Sequence, residues 1–379
     1  MNRTVLAIVV AVLLGGAVVA GLVVFFAVRA ADRAAAVPWP YDLGPLSAAP
    51  SHFPATERND AAARLAELLV GERPPGALHD YVRAEAGRGD GTIGPVPDEV
   101  KDYLARYVHH FDELRDHLRI LGPPVWDHDP AAGFAGPLDY QSYHDLWGSL
   151  VARALLRPDA GAWDELQAAW NLGVAMTRRP ELYGQGVALM IARCISAVAW
   201  RLPLPAPAWF HELDGVAFDR LIVRALQYEA WFYWEHTTPQ FSGRLWLVLR
   251  PLSSIGVAGL IRHQRETAEA LVRVQGCAFD MDAFVAEHRP KQWNVFALGL
   301  GGSHGAFWDR VLRYRAEHEA TRNALRAAAG EPIVAASRCE GTWSSETLPD
   351  GRVRIAYSVE LPPTSNGLAA PLVRITPAK

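Results

Sequence analysis

The chain has 379 residues, half of them hydrophobic, with a formal net charge of −4 and a pI near 6.4. It therefore lacks the basic excess that marks a nucleic-acid binder, and no nucleic acid is expected as a partner. Its three cysteines, Cys194, Cys277 and Cys339, make neither a C-x-x-C pair nor a zinc-ligand spacing.

The chain opens on Thr4–Val28, an uncharged apolar run bracketed by Arg3 on one side and Arg29 and Arg33 on the other. At ~1.5 Å of rise per residue this helix is roughly 36 Å long, against a hydrocarbon core of ~30 Å. Residues 1–30 are read as a transmembrane anchor, with the lipid bilayer as partner through 4–28. The run exceeds the ~7–15-residue apolar stretch of a cleaved signal peptide, although Ala34–Ala36 supplies a cleavage-like Ala-x-Ala. The flanking arginines nearly balance, and a long C-terminal domain translocates largely regardless of charge. The expected topology is single-pass, with the soluble domain extracytoplasmic.

Residues 31–58 carry Pro38, Pro40, Pro45, Pro50 and Pro54 and read as a Pro-rich, extended linker. Residues 59–330 read as a helical domain. A short helix follows Asn59 or Asp60, and another spans Ala77–Ala86. The loop after it contains Arg88-Gly89-Asp90, which is read as a turn. From Pro97 onward apolar residues recur at Val100, Leu104, Tyr107, Phe111, Leu114, Leu118 and Leu121, a seam that packs along another helix. Further helices are predicted at about Tyr140–Leu156, from Pro158 and from Pro180, at Phe218–His236, and at Ala306–Ala329. Leu245–Ile261 is strongly apolar but contains Arg250 and Pro251, and reads as a buried, kinked helix. No 34-residue period recurs, which excludes a tetratricopeptide array.

After Gly330 the period changes. Val353, Ile355, Tyr357, Val359 and Leu361 alternate with polar neighbours, as in a half-buried strand. Pro349-Asp350-Gly351 supplies the turn before it, Cys339–Ser345 the preceding strand and Leu372–Thr376 a third. The fold class is thus mainly α: an N-terminal transmembrane helix, then a multi-helix bundle or solenoid-like stack, with a small C-terminal antiparallel β appendage over 331–379.

Four constellations bear on chemistry. Gly301-Gly302-Ser303-His304-Gly305 fits G-x-S-x-G and would make Ser303 a nucleophile. Yet the alternating β and α patterns of a hydrolase sheet are missing, and only His304 and His318 follow the serine. His110, Glu113 and His117 share one helix face, with ligand types suited to zinc. Trp209, Phe210, Tyr228, Trp231 and Trp234 form an aromatic cluster that would line a binding groove. Cys277 and Cys339 would pair in an oxidising compartment. No Walker lysine and no G-x-G-x-x-G accompany these, so no cofactor is expected.

The function expected from the sequence is that of a non-catalytic, membrane-anchored interaction or scaffold protein of the bacterial cell envelope, engaging a protein, peptide or lipid partner. The alternative is a membrane-anchored hydrolase using Ser303, or a metal-binding protein through His110, Glu113 and His117.

Overall fold

Helices dominate, as the helical spacing of the apolar positions requires, and a small antiparallel sheet completes the chain. The computed structural model describes residues 3–65, 67–68, 72–129, 140–159, 161–237, 246–274, 276–277, 281–287, 304–361 and 372–377. In chain order the helices are α1 (Arg3–Ala35), α2 (Asp60–Leu65), α3 (Gly76–Gly87), α4 (Asp98–Arg106), α5 (Val108–Leu121), α6 (Tyr140–Leu156), α7 (Ala162–Thr177), α8 (Leu182–Ala199), α9 (Phe218–Thr237), α10 (Trp246–Arg273), α11 (Met281–Glu287) and α12 (His304–Ala328). Strands β1 (Trp343–Thr347), β2 (Val353–Tyr357) and β3 (Val373–Ile375) follow. The chain divides into two units: Met1–His52, Val223–Arg273 and Phe284–His304 form the first, and Phe53–Ile222, Val274–Ala283 and Gly305–Lys379 the second.

In the first unit α1 packs along α10. α1 buries Ala27, Ala31, Ala34 and Ala35, and α10 buries Ser253, Ser254, Val257 and Ala258; small residues of this kind let two backbones approach closely. The opposite character appears along α1 at Val18, Val19, Leu22, Val23, Phe25 and Phe26, which are 47–64 % exposed.

The Pro-rich segment is not the extended spacer its composition predicts. Trp39, Leu43, Leu46 and Ala49 are buried, and a 3₁₀ turn spans Leu46–His52. Gln227 Nε2 of α9 donates to Gly44 O at 3.2 Å and Pro45 O at 3.1 Å, and Arg224 donates to His52 O. Proline removes donors but leaves carbonyls, and here side chains of α9 take up those carbonyls and fold the segment.

In the second unit α6, α7 and α8 pack as successive neighbours, while α3 packs against both α6 and α8, and α5 against α7. This arrangement is a bundle and not a linear stack. Among the described residues the helix long and apolar enough to cross a membrane is α8, and 83 % of it is buried inside the molecule. The expected span at 4–28 gains no support from that criterion. α8 is buried because α3, α6 and α7 pack around it and α12 bonds to its Arg193 and Ser196.

The helix predicted from Pro97 to Leu121 is divided. Tyr107 leaves helical geometry at φ −105°, ψ 22° between α4 and α5. Arg106 Nη1 and Tyr107 Oη both bond to Glu72, at 3.0 Å and 2.6 Å, which anchors the break.

The small antiparallel β appendage expected after Gly330 is present and is bonded to the helical body. Its order is β1-β2-β3, antiparallel throughout, with Trp343 opposite Tyr357 and Arg354 opposite Ile375. Trp343 Nε1 donates to Glu319 of α12 at 3.0 Å. The Arg88-Gly89-Asp90 turn backs the other edge: Ile375 N donates to Gly89 O at 2.8 Å. Gly91 completes that turn at φ +79°, with Ile375 and Thr376 backbone where a Cβ would lie.

Candidate functional site

Arg153 is buried on α6 and bridges from that helix to α5 and α7. Its Nε donates to Glu165 Oε1 of α7 at 3.0 Å, its Nη1 to Val108 O at 3.2 Å, and its Nη2 to Asp112 of α5. Arg115 also reaches Glu165 Oε1, at 3.4 Å, and pairs with Asp112 and Asp116. Burial pushes the Glu165 carboxyl up against the pull of Arg153 and Arg115. Its Oε2 is buried without a hydrogen-bond partner.

This network forms one wall of a cleft of about 260 Å³. Leu104, Ala105 and Val108 supply an apolar wall from α4 and α5, and Leu156 with Ala162 closes it from α6 and α7. Lys101 and Arg157 stand with Arg115 and Arg153 as cations in the lining, against Glu165 and Asp159. Asp159 Oδ1 is engaged locally by Gly161 N at 2.8 Å. Apolar walls and a polar rim, with Arg157 beside the paired Lys101, Arg115 and Arg153, suit a small polar group or a polar side chain of a partner.

The residues singled out from sequence lie elsewhere. His110 Nε2 bonds to Leu68 O, His117 Nε2 to Ala61 O at 2.9 Å, and Glu113 pairs with Arg64. The shared face predicted for these three is thus spent fixing the segment around α2, and they do not converge on one point. Ser303, with Gly301 and Gly302, lies outside the described residues, while His304 and Gly305 of the motif open α12. The aromatic cluster is divided between the two units. Phe210 is 1 % exposed and packs edge-on to Trp163 at 5.6 Å in the second unit, with Trp209 half-buried beside it. Tyr228 and Trp231 are buried against each other at 5.3 Å in the first unit. Burial of large rings in the cores explains most of the cluster; Trp234 is half-buried. Cys277 and Cys339 form a disulfide, with Cα atoms 5.4 Å apart, and Cys194 is free and buried.

Two constellations have no sequence signature. Ser196 Oγ of α8 lies 2.8 Å from His318 Nδ1 of α12, and His318 Nε2 lies 2.7 Å from Asp214 Oδ1. The Asp214 carboxyl is held low: burial opposes this, but the bond to His318 and the charge of Arg322 outweigh it. The order of groups is that of a hydrolase triad, yet Ser196 is wholly buried within a helix. No substrate carbonyl reaches its Oγ, and the helix has already used the surrounding amides. The chain of bonds pins α12 to α8 and does not activate a nucleophile. The second constellation is His79, His144 and Asp145, whose ligand atoms all lie within 4.8 Å of one another. Residues so distant in sequence meet only because α3 packs on α6. Burial, with the neighbouring charges of His79 and Arg83, pushes the His144 imidazole down to about 4.

Comparison with protein-family models, with curated proteins and with solved structures finds no match for this chain.

Proposed function

We propose that this protein is a membrane-anchored, non-catalytic interaction or scaffold protein of the bacterial cell envelope, held in the bilayer through α1. The observation that carries the reading is the row of exposed apolar side chains on α1, from Val18 to Phe26, on a helix of 33 residues. An apolar face of this length in water is a liability unless lipid or protein covers it. At the centre of a bilayer each Leu, Val or Phe instead favours insertion by about 0.3–0.6 kcal/mol. The Cys277–Cys339 disulfide is in keeping with a body on the oxidising side of the membrane. The cleft beside Arg153 is the surface we assign to a partner, because it combines apolar walls with a polar rim that includes Lys101 and Arg157.

The test is alkaline extraction of membranes from cells expressing the full chain, paired with a compartment-sensitive reporter after Lys379. The expected result is a chain that stays in the carbonate-resistant pellet, with the reporter active outside the cytoplasm. Substituting Leu22, Val23 and Phe26 by lysine should release it. A wild-type chain recovered wholly in the soluble fraction would overturn the anchor, and a reporter active only in the cytoplasm would overturn the envelope placement.

A further inference from the structure

We propose that His79, His144 and Asp145 form a binding site for a divalent first-row transition metal, with zinc the best match. His79 stands on α3, and His144 and Asp145 are adjacent on α6. Gly148, one turn further along α6, is what lets the helices meet at this point. A Cβ there would lie 3.1 Å from Leu78 Cδ2 and 3.3 Å from His79 Nδ1.

Two imidazoles and a carboxylate are a donor set that zinc, iron and nickel share, and three protein ligands leave a fourth position open to water or an exogenous ligand. Around a tetrahedral zinc the ligand atoms lie about 3.3 Å apart. Here His79 Nε2 and Asp145 Oδ1 are 2.9 Å apart, and the whole donor set fits within 4.8 Å. Side-chain rotations of roughly an ångström, within the breadth of terminal χ angles, bring the three into place.

A second, independent observation points the same way. His144 Nδ1 is buried and has no hydrogen-bond partner, and an orphan imidazole nitrogen beside a histidine and a carboxylate is a donor without a role in the metal-free structure. Gln141 Nε2 donates to Asp145 Oδ1 at 2.9 Å, the outer bond that orients a ligating carboxylate. The side chains of His79 and Asp145 are 20 % and 14 % exposed, so an ion reaches the site from solvent. Arg83, whose charge opposes a cation at His144, is 66 % exposed and pairs with Asp80 at 3.5 Å, so it is screened.

The experiment uses the full chain in detergent, stripped with a chelator, desalted and titrated with zinc chloride. The expected result is one zinc ion bound per chain, lost in His79→Gln and in His144→Gln. Gln141→Leu, at an exposed position, is expected to weaken binding about tenfold while leaving the fold intact. A second reading needs no variant that touches the core. Diethyl pyrocarbonate modification of the wild-type chain, mapped by mass spectrometry, should be suppressed by zinc at His79 and His144. The exposed His109 and His211 should be modified equally with and without the metal. A wild-type chain that takes up no zinc overturns the proposal. So does zinc uptake that survives both histidine variants, or zinc protection that falls on other histidines.

Discussion

Replacing Glu85 by glutamine keeps the shape of the side chain and removes its charge at the most enclosed ion pair of the second unit. Glu85 and Arg201 are 1 % and 0 % exposed, with Arg201 Nη1 2.6 Å from Glu85 Oε2. The same guanidinium donates to Thr92 O at 2.9 Å and Glu85 O at 3.0 Å, while Glu85 Oε1 accepts from Arg88 Nε at 2.9 Å and Gly94 N at 3.1 Å. This one carboxylate therefore ties together the end of α3, the loop behind β3 and Arg201, two residues beyond α8. With charge centres about 4 Å apart and an effective dielectric of about 20, the attraction is ~4 kcal/mol. Removing one partner of a buried pair costs ~3–5 kcal/mol, because the other charge stays in place. We expect Glu85→Gln to lower unfolding stability by about 3–4 kcal/mol. Arg201→Met should cost less, about 2 kcal/mol, since Glu85 keeps Arg88 and Gly94 as partners. In the double variant no unpaired charge is left at the core, so adding Glu85→Gln to Arg201→Met should cost no more than ~1 kcal/mol further. The assay is urea unfolding followed by tryptophan fluorescence, with the slope of the transition held as a check. An effect of Glu85→Gln below ~1 kcal/mol, or strict additivity in the double variant, would refute the reasoning.

Two further outcomes follow from single features. The Cys277–Cys339 disulfide closes a loop of 62 residues, and the chain-entropy relation gives about 4 kcal/mol of stabilisation for that length; the Cys277→Ser/Cys339→Ser variant should show this loss in urea, and an unchanged midpoint would count against it. Burial alone would raise the Glu317 carboxyl, but the guanidiniums of Arg193, at 2.7 Å and 2.8 Å, and of Arg313 overrule it and hold it below its ordinary value. A depressed folded value contributes stability that is complete above the unfolded Glu value near ~4.3 and is lost as pH falls through the folded one. Glu317→Gln should therefore be less stable than the wild type at pH 6, with the gap closing toward pH 3. Parallel curves across that range would show that Glu317 does not titrate as argued.

Local chemistry determined the elements. The spacing at Tyr140–Leu156 and Phe218–His236 is that of helices, and the alternation after Gly351 is that of a strand, because one buried face suffices to impose either period. Those segments are helices and strands in the structure, within a few residues at their ends. Local chemistry failed where a side chain from a distant element supplies what the segment lacks. The prolines between 38 and 54 read as an extended spacer, yet Gln227 and Arg224 fold that stretch by capping its carbonyls. Tyr107 reads as one more position in an unbroken seam, yet Glu72 anchors the break there.

The candidate sites show the same division more sharply. Helical spacing put His110, Glu113 and His117 on one face, but spacing cannot say what that face meets, and it meets the carbonyls of Leu68 and Ala61 and the guanidinium of Arg64. His79, on α3, has no shared periodicity with His144 and Asp145 on α6, nor has Arg153 of α6 with Glu165 of α7. The sequence by itself determined a mainly helical chain with a small terminal sheet and a long apolar first helix, since each follows from short-range pattern. Only the tertiary structure decided which polar side chains converge. Convergence depends on how helices cross and on where a small residue such as Gly148 lets them touch, and neither is written in the spacing of any one segment.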